Sequence, residues 1–198
     1  MLNKLLTDEE LLAMVQRADE FAKVLQRDGE TQVVPMLELI YKTESNDNAA
    51  SALGPLEIPD SLDERAVYMF EAGRLAALQG LTMEGGPMFP VAAMMLGEGW
   101  MITQQTQAAS GVSPSLHPDR RECLAVNAMA VDGRECVVVY DLRRRGEGEV
   151  VLVPMAKEMV VHPFDPKVGV RSPLLAHFFG GVAAGLQGGS SLTDRPGE

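Results

Sequence analysis

The stretch AVNAMAVDGRECVVVYDL, residues 125–142, decides the fold, because two apolar runs flank the dipeptide Asp132-Gly133. An Asp-Gly pair between two such runs is typical of a two-residue β-turn, whose positive φ angles match the twist of antiparallel strands. The dipeptide therefore predicts a β-hairpin in which Val131 faces Arg134.

This register also predicts which side chains share a face of the hairpin. One face receives Leu124, Val126, Ala128, Val137 and Val139, and the other receives Ala125, Met129, Cys136, Val138 and Tyr140. Because both sets are apolar, each face needs a covering layer, which is a helix, a second sheet or a partner subunit. A homo-oligomer is one hypothesis that follows.

The hairpin belongs to a longer β-rich region that lies between helical segments. Further β-type segments are predicted at 88–96, 98–105 and 149–155, and helices are predicted over 8–27, over 62–79 and from Pro173 onward. Capping boxes, Thr7 with Glu10 and Ser61 with Glu64, mark the starts of the first two helices. The sequence predicts an α+β fold, an antiparallel β-meander of four or five strands packed with two or three helices.

The composition along the chain predicts four regions. They are an N-terminal helical segment (1–42), a linker or long loop rich in small and turn-forming residues (43–60), an α+β core domain (61–188) and a flexible tail (189–198). Residues 31–43, TQVVPMLELIYKT, fit either a short helix or an edge strand. Whether residues 1–42 pack on the core or on a partner stays open.

Two helix faces can be predicted from residue spacing. In the helix over 62–79, Leu75 and Leu78 are expected on the buried side. In the C-terminal helix, Gly181 and Gly185 are four residues apart, which indicates close packing against another helix.

Charge and cysteine content exclude several classes of function. The formal net charge of −11 disfavours nonspecific binding to nucleic acid, and the run Arg143 to Arg145 is the one basic cluster that departs from this trend. Cys123 and Cys136 lack metal-ligand spacing, so no metal and no cofactor are predicted. The chain carries no secretory signal pattern and no apolar run long enough for a bilayer, which predicts a cytoplasmic protein without a membrane segment.

Residues 111–123, GVSPSLHPDRREC, contain the side chains of nucleophilic and acid–base chemistry. A catalytic interpretation would use Ser113 or Ser115 with His117 and Asp119, but no G-x-S-x-G elbow is present, and such triads usually combine distant parts of a chain. The two prolines favour a rigid corner instead.

A binding site is the third interpretation of the same segment. His117, Arg120 and Arg121 are suited to an anionic ligand or partner, with Trp100 as an aromatic wall. In the rigid-corner interpretation, one of the two arginines pairs with Glu98 or Glu122.

The order GEGWMI (97–102), PSLHPDRRECLAV (114–126) and DLRRRGEGEVVLV (141–153) resembles a pattern of bacterial and phage proteins without an assigned activity. Those proteins have a Glu-x-Trp strand followed by a P-S-x-H-P-x-R-x-E segment. The resemblance covers about residues 88–154 and implies a small α+β domain, but no catalytic residues. The positions that match it are Glu98, Trp100, Ser115, His117, Pro118, Arg120 and Glu122.

The preferred hypothesis is a cytoplasmic interaction or accessory protein that self-associates through an apolar sheet face, with catalysis disfavoured. The alternative is an enzyme or small-ligand-binding domain that uses residues 117–122 near Trp100. A homo-oligomer and a protein partner are the expected partners, and neither nucleic acid nor a membrane is expected.

Overall fold

The computed structural model describes residues 6–27, 33–43, 49–59, 61–83, 86–101, 116–144, 150–155, 159–167, 169 and 171–190. In these ranges the chain forms the helices α1 (Asp8–Arg27), α2 (Leu62–Gln79) and α3 (Pro173–Ser190). The predicted capping box of α1 is confirmed, because Glu10 accepts a hydrogen bond from the Thr7 amide at 2.7 Å and donates its own amide to the Thr7 hydroxyl at 3.1 Å.

The strands form one antiparallel sheet in the order β2-β1-β4-β5-β6-β7, while β3 pairs with β4 and β8 pairs with β6. Their bounds are β1 (Met36–Thr43), β2 (Ala49–Pro55), β3 (Leu81–Met83), β4 (Gly86–Met101), β5 (Arg121–Ala130), β6 (Glu135–Arg144), β7 (Val150–Pro154) and β8 (Val161–His162). The predicted α+β class with an antiparallel sheet is confirmed, with more strands than the four or five expected.

Of the strands that were not predicted, β1 and β2 lie upstream of the predicted core, while the short strands β3 and β8 lie inside it. β1 forms where residues 31–43 had fitted either a short helix or an edge strand, at the end of the predicted N-terminal helical segment (1–42), and it pairs with both β2 and β4. β2 lies inside the predicted linker (43–60), where the small residues AASALGP form an edge strand against β1. Composition indicated a loop because it does not reveal a cross-strand partner. Of the predicted tail (189–198), residues 191–198 lie outside the described part of the chain.

The register of the central hairpin differs by one residue from the prediction. The Ala130 amide donates to the Arg134 carbonyl at 2.8 Å, and Ala128 lies opposite Cys136. The connection therefore has three residues and ends at Gly133, whose φ of 84° is the left-handed conformation that three-residue hairpin loops place at this position. The predicted pairing of Val131 with Arg134 is wrong for this reason.

A slip of one residue moves every β6 side chain to the opposite face relative to β5. Val126 and Val138 now share a face, whereas Val137 and Val139 lie on the other. Cys136 also leaves the face of Cys123, and both cysteines are free and buried.

One face of the sheet is covered by α1. The apolar side chains buried there come from α1 and from the even-numbered positions of the central strands, and they include Leu11, Met14, Val15, Ala18, Met94, Leu96, Val126, Val138 and Tyr140. Arg134, beside the hairpin turn, binds Asp132 in the turn, Asp8 in the first turn of α1 and the Leu6 carbonyl. The N-terminal helix is therefore joined to the core by packing and by hydrogen bonds.

The other face is covered by α2 and α3. The buried apolar side chains there include Leu56, Met69, Ala93, Met129, Leu175, Phe178 and Val182. The sequence analysis left a helix, a second sheet or a partner subunit as the cover of each hairpin face. In the described residues the second face is covered by helices α2 and α3.

Helices α2 and α3 approach so closely that glycine is required at the contact. A Cβ on Gly73 would lie 1.9 Å from the Phe178 carbonyl oxygen, and a Cβ on Gly181 would lie 1.8 Å from that of Phe70. The predicted close packing at Gly181 and Gly185 is thus confirmed. The predicted burial of Leu75 and Leu78 is wrong, since both are exposed.

The error has a physical reason. α2 carries apolar residues around most of its circumference, so spacing does not reveal its buried side. The side that faces α3 is instead the one where small residues, Gly73 and Ala77, permit a close approach.

Candidate functional site

The predicted site residues collect at the end of the sheet where β4 ends, β5 begins and β6 ends. Trp100 lies opposite Glu122, and Met101 lies opposite Arg121. Ser113 and Ser115 lie outside the described residues, so the nucleophile of the catalytic hypothesis has no position here.

His117 points inward and supports the corner. It is buried, its ring Nδ1 accepts a hydrogen bond from the Asp119 amide at 3.1 Å, and its carbonyl accepts one from the Arg120 amide at 3.2 Å. Asp119 itself is exposed. These contacts are those expected of a residue that shapes a turn between two strands.

Arg120 points outward and stacks on Trp100. The guanidinium carbon lies 4.5 Å from the centroid of the indole ring, which is cation–π geometry. The side chain of Trp100 remains 41% exposed. The predicted proximity of Trp100 and Arg120 is therefore present in the fold.

Glu98 and Glu122 share one arginine, which the sequence interpretation had not identified. Arg144 binds Glu122 at 2.7 Å and Glu98 at 3.2 Å, and Glu98 also accepts the Val33 amide at 2.9 Å. We predicted Arg120 or Arg121 as the partner, but the antiparallel pairing of β5 with β6 brings Arg144 alongside.

A second charged cluster surrounds Asp141, whose side chain is only 8% exposed. Arg143 binds its Oδ2 through Nε at 2.9 Å, and Arg121 contacts the same oxygen through a terminal nitrogen at 3.4 Å. The sequence analysis identified Arg143 only as part of a basic cluster and gave Asp141 no role. The alternation of Asp and Arg at the end of β6 was the available signal.

The residues Trp100, Arg120, Arg121, Glu122, Asp141, Leu142 and Arg143 line a shallow, open depression of about 540 Å³. Cys123 lies beneath this region. Burial raises the pKa of its thiol and outweighs the hydrogen bond with the Gly99 backbone, while the charge of Asp141 raises the pKa further. A thiol held protonated in this way is a poor nucleophile.

A second, smaller cavity of about 150 Å³ is lined by Glu135, His162, Pro163, Phe164, Asp165, Gly169 and Arg171. Buried Glu135 accepts the backbone amides of Arg171 at 2.8 Å and Ser172 at 3.1 Å. Its carboxylate thereby caps the N-terminus of α3, where the helix dipole favours negative charge.

A different kind of surface lies on the outer side of α2. Val67, Tyr68, Leu75 and Leu78 are all exposed, and their spacing places them on one side of the helix. We call these four residues the α2 stripe. Charged residues in the same region are Glu71 and Arg74, which pair within the helix at 2.7 Å.

Within the described ranges, no group of three or more His, Cys, Asp or Glu side chains is placed to hold a metal ion. In the same part of the chain, every helix is too short or too polar to cross a bilayer.

In comparisons with known proteins, no family model matches the chain, and no curated protein or solved structure matches it either. The resemblance to the bacterial and phage pattern stays a prediction.

Proposed function

We propose that this protein is a non-catalytic interaction protein that self-associates through the α2 stripe. The observation that carries the proposal is that four large apolar side chains are exposed on one side of a helix whose other side is already buried. Exposed apolar patches mark association sites in soluble proteins, and here Val67 with Tyr68 and Leu75 with Leu78 flank the charged pair Glu71 and Arg74.

The proposed contact differs from the sheet face named in the sequence-based hypothesis. Both faces of the central hairpin are packed against helices of the same chain, α1 on one side and α2 with α3 on the other. The outer side of the α2 and α3 layer is the next surface outward. α3 contributes no Asp, Glu, Lys or Arg to it, so few charges would need to be desolvated there.

A second copy of the chain is the partner that the charges favour. When two α2 helices pack antiparallel across a two-fold axis near their middle, Val67 of one copy lies beside Leu78 of the other. Glu71 of one copy then lies beside Arg74 of the other, and the pair occurs twice because a two-fold interface is isologous. The surface is complementary to itself in both apolar character and charge.

The size of the surface sets the expected affinity. An 18-residue helix is about 27 Å long, and two neighbouring helices span about 20 Å, which gives roughly 500 Å² per copy. Stable complexes usually bury about 800 Å² per partner. We therefore expect a weak, concentration-dependent dimer.

Other features support an interaction role over catalysis. His117 is engaged in the corner, the Cys123 thiol stays protonated, and the depression beside Trp100 is open to solvent. Enzyme sites are usually concave and enclose their ligand. Because both cysteines are free and buried, we propose a reducing compartment, the cytoplasm, as the location.

Light scattering coupled to size exclusion over a range of loading concentrations tests the proposal. The wild-type mass should rise above the 21.4 kDa of one chain as concentration increases. Leu75→Glu should keep the mass at one chain. Val24→Glu is the matched control, since Val24 on α1 and Leu75 on α2 are both 45% exposed.

A charge exchange tests whether the partner is a second copy. Glu71→Arg should weaken the dimer by placing like charges across the axis, and addition of Arg74→Glu should restore it. A wild-type mass of one chain at all concentrations would contradict the proposal. So would equal loss in the Val24 variant, or a double variant that stays as weak as the single one.

A further inference from the structure

We infer that the depression at the end of the sheet binds an acidic polypeptide segment. The residues proposed to contact this segment are Trp100, Arg120, Arg121, Asp141 and Arg143. This site is separate from the α2 stripe, so the inference goes beyond self-association and names a second, different partner.

The depression differs in charge from the chain as a whole. The chain as a whole carries −11, yet this depression brings three arginines together with two carboxylates, Glu122 and Asp141. Glu122 is also paired with Arg144, which is adjacent to the depression. The lining residues therefore carry one positive charge in excess on a protein whose total is −11, and this local excess favours a negatively charged partner.

Two of the arginines share one buried carboxylate. Arg121 and Arg143 both contact Oδ2 of Asp141, and their side chains are 49% and 59% exposed. Arg143 makes its contact through Nε, so its two terminal nitrogens are not used in that bond. A guanidinium whose Nε is held by a buried carboxylate presents these N–H groups in a fixed direction, which suits a carboxylate ligand.

Trp100 adds an aromatic surface beside the arginines. Trp100 remains partly exposed beneath the stacked guanidinium of Arg120, so it offers an apolar wall for the methylene groups of a bound glutamate. Tryptophan and arginine are the residues most enriched among energetically dominant contacts of protein interfaces.

The shape and the interleaved carboxylates decide between classes of ligand. A volume of about 540 Å³ in an open depression suits a polypeptide segment lying across the surface better than an enclosed small molecule. Nucleic acid presents a dense row of phosphates, which Glu122 and Asp141 would repel. An acidic peptide has spaced carboxylates and a neutral backbone between them.

Fluorescence offers a direct test, because Trp100 is the only tryptophan of the chain. The probe is an acetylated octaglutamate peptide, titrated into the full chain at low ionic strength, with calorimetry on the same samples. We expect a saturable change in Trp100 emission and an affinity that falls as salt is added.

Two variants separate this site from general attraction between charges. Arg143→Gln should weaken binding about tenfold, because it removes charge-assisted hydrogen bonds to the peptide. Arg17→Gln should leave the affinity within about twofold of wild type. Arg17 is the matched control, since it is 54% exposed and paired with a 9% exposed carboxylate, that of Glu38.

Absence of binding by calorimetry would overturn the inference, as would binding that leaves the emission of Trp100 unchanged. Equal losses in the two arginine variants would overturn it as well, and so would tighter binding of a single-stranded oligonucleotide than of the peptide. Leu75→Glu, which disrupts the proposed dimer contact, should bind octaglutamate as wild type does. Failure of self-association is thereby distinguished from failure of this site.

Discussion

Replacement of Gly181 by alanine should destabilise the protein, even though alanine is the better helix former. The Cβ of the new residue would lie 1.8 Å from the carbonyl oxygen of Phe70 on the facing helix, and 2.8 Å from the Arg74 amide nitrogen. Both are backbone atoms, so no side chain can rotate away. To reach even 3.0 Å from the oxygen, α2 and α3 must separate locally by about 1.2 Å.

Two opposing effects set the magnitude. Alanine in a helix interior is favoured over glycine by about 1 kcal/mol. Overpacking costs about 1–3 kcal/mol and occasionally more, and a gap of 0.5–1 Å removes roughly a quarter to a half of each dispersion contact. Because the obstacle is backbone, we expect the upper part of this range and a net loss of about 2 kcal/mol in the free energy of unfolding.

Urea denaturation followed by circular dichroism measures the change. With a slope of about 2 kcal/mol per molar urea, the midpoint of Gly181→Ala should fall by about 1 M. Gly180→Ala is the control on the adjacent residue, where a Cβ would meet the Phe70 ring at an ordinary 3.7 Å. It should raise stability by about 0.5–1 kcal/mol. If Gly181→Ala matched or exceeded the wild-type midpoint, the packing argument would be refuted.

Two further predictions concern carboxylates that accept hydrogen bonds at the starts of helices. Glu135→Gln should lower the free energy of unfolding by about 2 kcal/mol, because an amide replaces a carboxylate that caps α3, and it should speed hydrogen exchange of the Ser172 amide. Burial raises the pKa of Glu10, but hydrogen bonds from Lys42 and Thr7 and the charge of Lys42 outweigh it, so the pKa lies below its ordinary 4.5. This contribution to stability is present above pH 4.5 and is lost as the pH falls through the lower folded value. The stability difference between wild type and Glu10→Gln should accordingly shrink below pH 4.5, and a constant difference would contradict the assignment.

The parts of the fold that follow from local signals could be predicted from the sequence. Capping boxes located the starts of α1 and α2, and the two apolar runs that flank Asp132-Gly133 located β5 and β6. β2 could not be predicted in this way, because its small residues become a strand only by pairing with β1. The hairpin register was predicted wrongly because Asp132-Gly133 fits both a two-residue loop and the last two positions of a three-residue loop. The strand registers that follow from these two loops differ by one residue.

The candidate site was predicted in part for the same reason. Trp100 and Arg120 come together as expected, since β4 and β5 are neighbours along the chain. Asp141, Arg143 and Arg144 arrive from the next strand, and their side chains fall on faces that the wrong register had assigned differently. An error of one residue in the strand register is enough to leave the carboxylate partner of an arginine unidentified.

The contacts of Arg134 bear on how the chain unfolds. One guanidinium binds the central turn, the first turn of α1 and the Leu6 carbonyl, while α1 packs against the central strands on one face of the sheet. A chain shortened to begin after α1 would expose that apolar face and leave Arg134 with Asp132 alone. We therefore expect the N-terminal helix and the meander to unfold as one cooperative unit, since α1 and the sheet share one buried cluster.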